Sequence, residues 1–406
     1  MNYKPLKIVF YEDRKSFENE YLARFNSQAT FKTGLTIFPF DRGRRITSEN
    51  YELFYMPMIK HDMLKEKIVD NSKKISEYMS NLPGPVNQKL FLSQIIEEIQ
   101  STNDIEGVQS TRKEIGEALL YRDSEEIKRF KGIVNMYMKL GESEYQTIND
   151  ITMIREIYDE LFIDDIPERD LPDGKFFRKS VVYVGSDDRR VHQGNPNEES
   201  IIKDLNRLVT FMNRKDIPFL LKCVISHYNF EYIHPFYDGN GRMGRFLMSN
   251  YLTRKLDSLT GISISNAVLH SKKKYEESFA EVSNPRNRGD LTLFVEAMYE
   301  LIVSGQEEIL SGLESAMAKM ERIISYIKSL ELPENEKKVL FVLAQSELFG
   351  ELNDPVKDLE VRELHGWGLS KSNKIFNSLE EKGYVIKIGS NPLVHQLSDK
   401  VIDEIG

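Results

Sequence analysis

Between His234 and Arg245 the chain reads HPFYDGNGRMGR, and few other stretches put so many chemically capable side chains so close together. A histidine titrates near neutrality and takes a proton from a hydroxyl. Four residues on, Asp238 offers the hard oxygen that a Mg²⁺ carried by phosphates takes from a protein. Pro235 and the glycines break whatever helix precedes them, while RMGRFLMSNYLTRKL restarts one with Met243, Phe246, Leu247 and Tyr251 at helical spacing. The segment Gly239, Asn240, Gly241 therefore leads into a helix N-terminus. Free N–H groups and a partial positive charge there bind anions, and glycine lets a phosphate come close to the backbone. Arg242 and Arg245, three apart, share a helix face. Two cations at that end oppose the helix dipole, so an anion or a carboxylate must answer them. The mixture reads as a polyphosphate site with its own proton acceptor.

Rival readings account for fewer of these residues. Gly239, Gly241 and Gly244 match GxGxxG, but a helix and not a strand precedes them, which argues against a dinucleotide fold. His227, Glu231 and His234 fall at spacings that imitate a zinc site, yet this would leave the arginines and the glycine loop unused. His227 with Glu231 reads as a hydrogen-bonded pair positioning the helix. Cys223, the single cysteine, lies in the apolar run FLLKCVISHY and reads as a buried, inert thiol.

The elements that must hold this site are mostly helical. The first 85 or so residues are mixed and aromatic-rich, with little period. From Leu82, LPGPVNQKLFLSQIIEEIQSTNDIEG carries turn residues and then Leu90, Leu92, Ile95, Ile96 and Ile99 on one helical side, with Gly107 placed to end the helix. Helical patterns recur at Lys113–Leu120, in IVNMYMKL, in MIREIYDELF, around Ile201–Met212 and in PFLLKCVISHYNFEYI. SVVYVGSDDRRVHQ differs: Val181, Val182, Tyr183 and Val184, a polar turn over Ser186–Arg190 and then Val191 predict a short β-hairpin. A long helix is expected from about Leu291 to Leu332, ending at Pro333.

The twelve-residue stretch resembles the signature of the Fic family, HxFx(D/E)GNGRxxR, at every fixed position, and the resemblance runs more weakly from about Leu82 to about Glu300. It implies a mainly α-helical core with a β-hairpin flap, and transfer of AMP from ATP to a Ser, Thr or Tyr hydroxyl of a target protein with release of pyrophosphate. By this resemblance His234 is the base and Asp238 holds Mg²⁺. The loop Gly239, Asn240, Gly241 binds the phosphates, and Arg242 and Arg245 contact the outer ones. Relatives that act as kinases carry lysine where this chain has Gly241, which favours nucleotidyl transfer. The hairpin Val181–Val184 stands where the family carries its target-docking flap. Tyr275 lines the adenine side by resemblance and reads equally well as a core tyrosine.

A second stretch joins the first. Glu106 stands just before a helix-ending glycine, where a negative charge is disfavoured and requires a cation. TNDIEG resembles the family's inhibitory motif, (S/T)xxxE(G/N), at Thr102, Glu106 and Gly107. The resemblance implies that Glu106 pairs with Arg245 and blocks the γ-phosphate; in some relatives the same glutamate supports removal of AMP. The expected organisation is an N-terminal Fic-associated region over 1–85, a catalytic core over 86–310 with the inhibitory helix near 90–107, a linking helix over 311–333, and a C-terminal domain over 334–406. The last resembles a winged helix-turn-helix. EKKVLFVLAQ and VRELHG are its first two helices, Ser370 caps the third, and YVIKIG and LVHQL are strands.

DNA binding through Lys371 and Lys374 is opposed by Glu347, Glu351, Asp354, Asp358, Glu360, Glu363, Glu380 and Glu381. A formal charge of −9 over 406 residues likewise argues against non-specific binding to nucleic acid or acidic membranes. No stretch approaches the ~20 apolar residues of a membrane span, and the N-terminal sequence lacks a basic-then-apolar leader, so a cytoplasmic protein is expected. A nucleic-acid-binding winged-helix regulator with a vestigial nucleotide site is the competing class. Self-modification and a homodimer are left open.

Overall fold

The computed structural model describes residues 3–122, 129–162, 165–186, 189–349 and 356–405. Its helices and strands, in chain order, open with α1 (Leu6–Glu12), α2 (Phe17–Phe25), β1 (Phe31–Ile37), β2 (Phe40–Asp41), β3 (Arg44–Arg45) and β4 (Tyr51–Tyr55). Next come α3 (Ile59–Asn81), α4 (Gly84–Glu106), α5 (Arg112–Leu120), α6 (Lys131–Gly141) and α7 (Ile151–Phe162). The hairpin β5 (Tyr183–Ser186) and β6 (Arg189–Gln193) precedes α8 (Glu198–Met212), α9 (Phe219–Ile233) and α10 (Asn240–Lys255). There follow α11 (Ser258–Gly261), α12 (Ile264–His270), α13 (Lys272–Ser283) and α14 (Thr292–Ser329). The chain closes with α15 (Glu334–Phe349), α16 (Asp358–Leu364), α17 (Leu369–Glu381), β7 (Val385–Ser390), β8 (Leu393–Leu397) and α18 (Asp399–Ile405). The fold is mainly α, and every sheet among the described residues is an antiparallel pair.

Residues 1–73 with 94–307 form one compact unit, and 74–93 with 308–406 another. The boundaries expected after residues 85 and 310 fall inside α4 and α14.

In the first unit α9 is the central rod. Leu220, Leu221, Val224, Ile225, Tyr228, Phe230 and Ile233 bury all its faces, as expected of a helix that is apolar all round. It packs against α8 and α10, and α10 also meets α6, α11 and α12. Unlike α9, α10 is rich in polar residues, yet Asn240, Arg242, Arg245, Ser249, Asn250 and Thr253 are all buried on it. Such groups are kept in a core only when partners answer them. Strand β4 ties the N-terminal region to the start of α14, with Phe54 N–H donating to the Gly289 carbonyl and Leu291 N–H to the Phe54 carbonyl.

Two expectations change in detail. The hairpin starts at Tyr183, not Val181: one further cross-strand bond, from Gly194 N–H to the Val182 carbonyl, ends the ladder, and the Ser180 carbonyl turns to Arg178. Its turn, Asp187 and Asp188, lies outside the described residues, as do Glu351 and Asp354. In the second unit the expected order of three helices and two strands is present, but the third helix begins at Leu369 with Gly368, not Ser370, at the N-cap. Lys371 and Lys374 are exposed on it.

Candidate active site

The site is built where α9 stops and α10 starts. His234 follows the last residue of α9 with φ 53° and ψ 65°, the left-handed region that a side chain other than glycine, asparagine or aspartate rarely takes. Its N–H closes the helix on the Phe230 carbonyl, and its Nδ1 lies 3.3 Å from the Glu231 carbonyl. Burial, with the Arg178 cation adding to it, lowers the imidazole to about 4. The ring is therefore neutral at ordinary pH and free to accept a proton.

Between His234 and α10 the loop is held by Asn240. Its Oδ1 accepts from Phe236 N–H at 2.9 Å, and its Nδ2 donates to the Phe236 carbonyl at 2.8 Å. The Asn240 side chain is thus spent on the loop, leaving its main-chain N–H for a ligand. Asn240→Ala would strand two buried backbone groups, at about 1–3 kcal/mol each. A lower midpoint in thermal unfolding is the expected result. Gly239 takes φ +83° with the Phe162 ring 3.0 Å from any added Cβ, so a side chain there is excluded by both strain and space. The Asp238 carboxylate is half exposed and takes the Gly239 N–H on Oδ1, while Oδ2 lies 3.7 Å from Arg242.

The two arginines diverge. The Arg242 guanidinium lies over the Phe162 ring at 4.6 Å and points back toward Asp238. Arg245 is 1% exposed and reaches α4: its Nε donates to Thr102 Oγ1 at 2.9 Å, and its Nη2 to the Thr102 carbonyl at 3.2 Å and to Glu106 Oε1 at 2.8 Å. Burial alone would weaken its charge, but the Glu106 carboxylate outweighs that and holds Arg245 well above the usual guanidinium range. Glu106 is the last residue of α4, and Gly107 continues with φ +74°. Lys272 on α13 donates to the Ile105 carbonyl at 2.6 Å, so the end of α4 is tied down twice. About two turns earlier, the fully buried Glu98 accepts the Ser265 N–H at the start of α12. A Cβ on Gly241 would lie 2.1 Å from Glu106 Oε1, so this carboxylate rests directly on the glycine loop at the head of α10. An anionic group thus already stands beside the head of α10.

The same groups open onto a cleft of about 200 Å³ lined by Glu106, Gly241, Arg245, His234, Glu231 and Tyr275, with Tyr228 and Phe279 further along. Val184, Val191 and His192 of the hairpin also line it, while Tyr183, and Val181 just before the hairpin, are exposed. Tyr275 is a cleft residue and a core residue at once: its ring is buried and its hydroxyl lies 2.8 Å from His227 Nε2. The His227–Glu231 pair suggested by spacing does not form. The other His227 nitrogen, Nδ1, lies 3.2 Å from the Gly244 carbonyl and carries the proton, and Nε2 accepts from Tyr275. Burial drives this ring down to about 3. Glu231 instead turns to the cleft, its carboxyl raised by burial to about 8, with the glycine at 244 making room for it. Cys223 is buried, and its thiol is pushed up by that burial.

Arg178, Gly194, His192 and Glu98 also shape the site and have no sequence pattern that singles them out. No group of three or more His, Cys, Asp or Glu that could hold a metal ion occurs among the described residues. No helix among them is long and apolar enough to cross a membrane.

Residues 142–252, which hold the whole His234–Arg245 stretch but not Glu106, match the model of the Fic/DOC family. A protein adenylyltransferase Fic of Aedes aegypti is 32% identical over 127 residues, covering 30% of this chain and 22% of the mosquito protein. The chain thus spans about a fifth of that relative's length. A probable protein adenylyltransferase of Aquifex aeolicus is 24% identical over 303 residues, 72% of this chain and 88% of the other. In three dimensions the chain resembles a Fic family protein from Desulfovibrio desulfuricans with a TM-score of 0.50, covering 82% of this chain and 96% of that one at 18% identity, a likeness of fold.

Proposed function

We propose that the Fic/DOC domain of this chain makes it a protein adenylyltransferase, moving AMP from ATP to a Ser, Thr or Tyr hydroxyl of a target protein and restrained by its own Glu106. The observation that carries this reading is the Glu106 carboxylate seated on the glycine loop and bound to Arg245, beside a neutral imidazole. It is an internal stand-in for a phosphate at a phosphate-shaped site.

With ATP in its place, the N–H groups at the head of α10 and the guanidiniums of Arg242 and Arg245 hold the phosphates. Tyr275 and the aromatic end of the cleft receive the base. His234 removes the proton of the target hydroxyl as its oxygen attacks the α-phosphorus, and the bond to the pyrophosphate oxygen breaks. Asp238 is the residue that would hold Mg²⁺; its one exposed carboxylate suits an ion that also keeps phosphate and water ligands. When bound, that ion neutralises charge developing on the phosphates. The hairpin β5–β6 offers main-chain groups to an extended target segment, which requires little of the target's sequence and admits segments of the protein itself. The groups that add AMP also serve its removal when Glu106 is in place. We assign the work to the cytoplasm, where ATP and Mg²⁺ are supplied.

Unit two we read as a winged helix used for protein docking. The nucleic-acid alternative rests on Lys371 and Lys374, and α17 ends in the exposed Glu380 and Glu381.

Intact-mass measurement after incubation with ATP and Mg²⁺ tests the reading: a gain of one AMP on the chain or an added target supports it, and a gain of phosphate alone makes the chain a kinase. Asp238→Ala is expected to lose transfer at ordinary Mg²⁺ and to regain it only with far more metal. Transfer that persists in EDTA would remove the metal from the scheme.

A further inference from the structure

Arg178 lies in the segment leading to the hairpin and is fully buried. Among the described residues, no carboxylate is one of its hydrogen-bond partners. Its guanidinium serves three main-chain carbonyls: Nε donates to His234 at 2.9 Å, Nη2 to Ile233 at 3.5 Å and Nη1 to Ser180 at 2.5 Å. The first two belong to the C-terminal end of α9, where orphan carbonyls and the negative end of the helix dipole favour a cation. The third immediately precedes the hairpin. Gly194, just beyond the hairpin, completes the arrangement: a Cβ there would lie 2.5 Å from Arg178 Nη2 and 2.9 Å from His234 Cβ.

We propose that Arg178 is a positioning residue, clamping the left-handed turn that presents His234 and keying that turn to the base of the hairpin. A non-glycine residue in this conformation persists only where its surroundings over-determine it. Two of the three carbonyls held by the guanidinium lie at that turn. A neutral donor could hydrogen-bond the same carbonyls, but the charge adds a further effect: after burial, which is the larger cause, it disfavours a second cation nearby and helps keep the His234 imidazole neutral. The other charged or titratable groups around this ring do not replace it. His192 on β6, centred 6.5 Å away, is itself driven to about 3 by burial. Arg45 on β3 is held at the Gly194 carbonyl and Asn195. Glu231, Glu106, Arg245, Tyr275 and Glu276 line the same cleft, and Asp238 follows in the loop.

The kinetic half of the test rests on the AMP-transfer reading; the spectroscopic half does not. The full chain is compared with Arg178→Gln and Arg178→Lys by NMR titration of its histidines, the His234 signal being assigned by its absence from His234→Ala. The same two changes are made in Glu106→Gly protein, and kcat and KM for ATP are measured. In Arg178→Gln the His234 midpoint should rise by about one unit or more toward the ordinary 6.5. Its kcat should fall on the order of 10²-fold with KM for ATP unchanged, as for a misplaced reacting group. Arg178→Lys, which keeps the charge but loses the fork, should hold the low midpoint and recover only part of kcat. An unmoved His234 midpoint in Arg178→Gln, or kcat and ATP affinity falling together, overturns the proposal. If the glutamine variant does not fold, a lysine variant with parental kcat, or with a raised midpoint, overturns it alone. If Glu106→Gly itself transfers no AMP, the functional reading has failed and the titration still decides the role of Arg178.

Discussion

Replacing His234 by alanine is expected to slow AMP transfer by ~10²–10⁴-fold, the range typical of a general acid–base group, while ATP binding survives. The two effects separate because the imidazole sits at the end of α9, whereas the phosphate-binding groups belong to α10 and Asn240 and Tyr158 hold the loop between them without His234's ring. The wild-type rate should also carry a signature in pH. An isolated histidine would lose its basic form below about 6.5. Here burial and Arg178 move that limit down to about 4, so transfer should not fall off as pH drops from 7 to 6. His234→Ala should abolish whatever acid limb is found. Undiminished turnover in the alanine variant, measured by mass gain with a defined target, would take the base from this residue.

The second large effect is a gain. Glu106→Gly is expected to raise labelling from ATP, self-labelling included, because Arg245 then loses the carboxylate that now occupies it at 2.8 Å. The head of α10 is left with an uncompensated cation and free N–H groups, which is what the γ-phosphate requires. Arg245→Ala in the same background should cancel the gain, since the phosphate loses its partner along with Glu106. Thr102 gives a finer check on geometry: its hydroxyl accepts from Arg245 Nε at 2.9 Å, so the guanidinium stays aimed when the carboxylate is gone. A Glu106→Gly protein that is folded, saturated with ATP and no faster than its parent would leave the catalytic assignment standing and end the autoinhibition hypothesis.

What could be read from the sequence follows from which residues contradict their local setting. Arg242 and Arg245 at a helix start and Glu106 at a helix end are each unfavourable alone, and that mismatch announces a partner before any coordinate is known. Glycines 239 and 241 were legible for a similar reason, since a helix start gains nothing from them unless something must come close. The helix α3 was not legible: over its length only a few apolar side chains, Ile68 and Ile75 among them, are fully buried, too sparse for a helical stripe. Arg178 was invisible because its partners are carbonyls, which every residue has, and one of them lies 56 positions away. His227 shows the limit of spacing. It stands four residues before Glu231 on one helix, but a buried imidazole is placed by the acceptor its N–H can find, and that was the Gly244 carbonyl. The first strand of the hairpin began two residues late on the same ground, the Ser180 carbonyl just before it being drawn to Arg178.

On the proposed reading, the restraint resides in the last turn or so of α4. Thr102, the Ile105 carbonyl and Glu106 make the contacts with Arg245 and Lys272, Gly107 ends the helix in a conformation open to few other residues, and Glu98 anchors the preceding turn independently. Helix ends fray at a free-energy cost far below that of unfolding a core. If Glu106 restrains the site as proposed, release of the catalytic groups requires only that the contacts of this last turn with Arg245 and Lys272 open, not that the domain unfold. On that reading, mild warming or dilute denaturant is expected to raise transfer before it unfolds the domain, a rise that a rate measured against temperature would show.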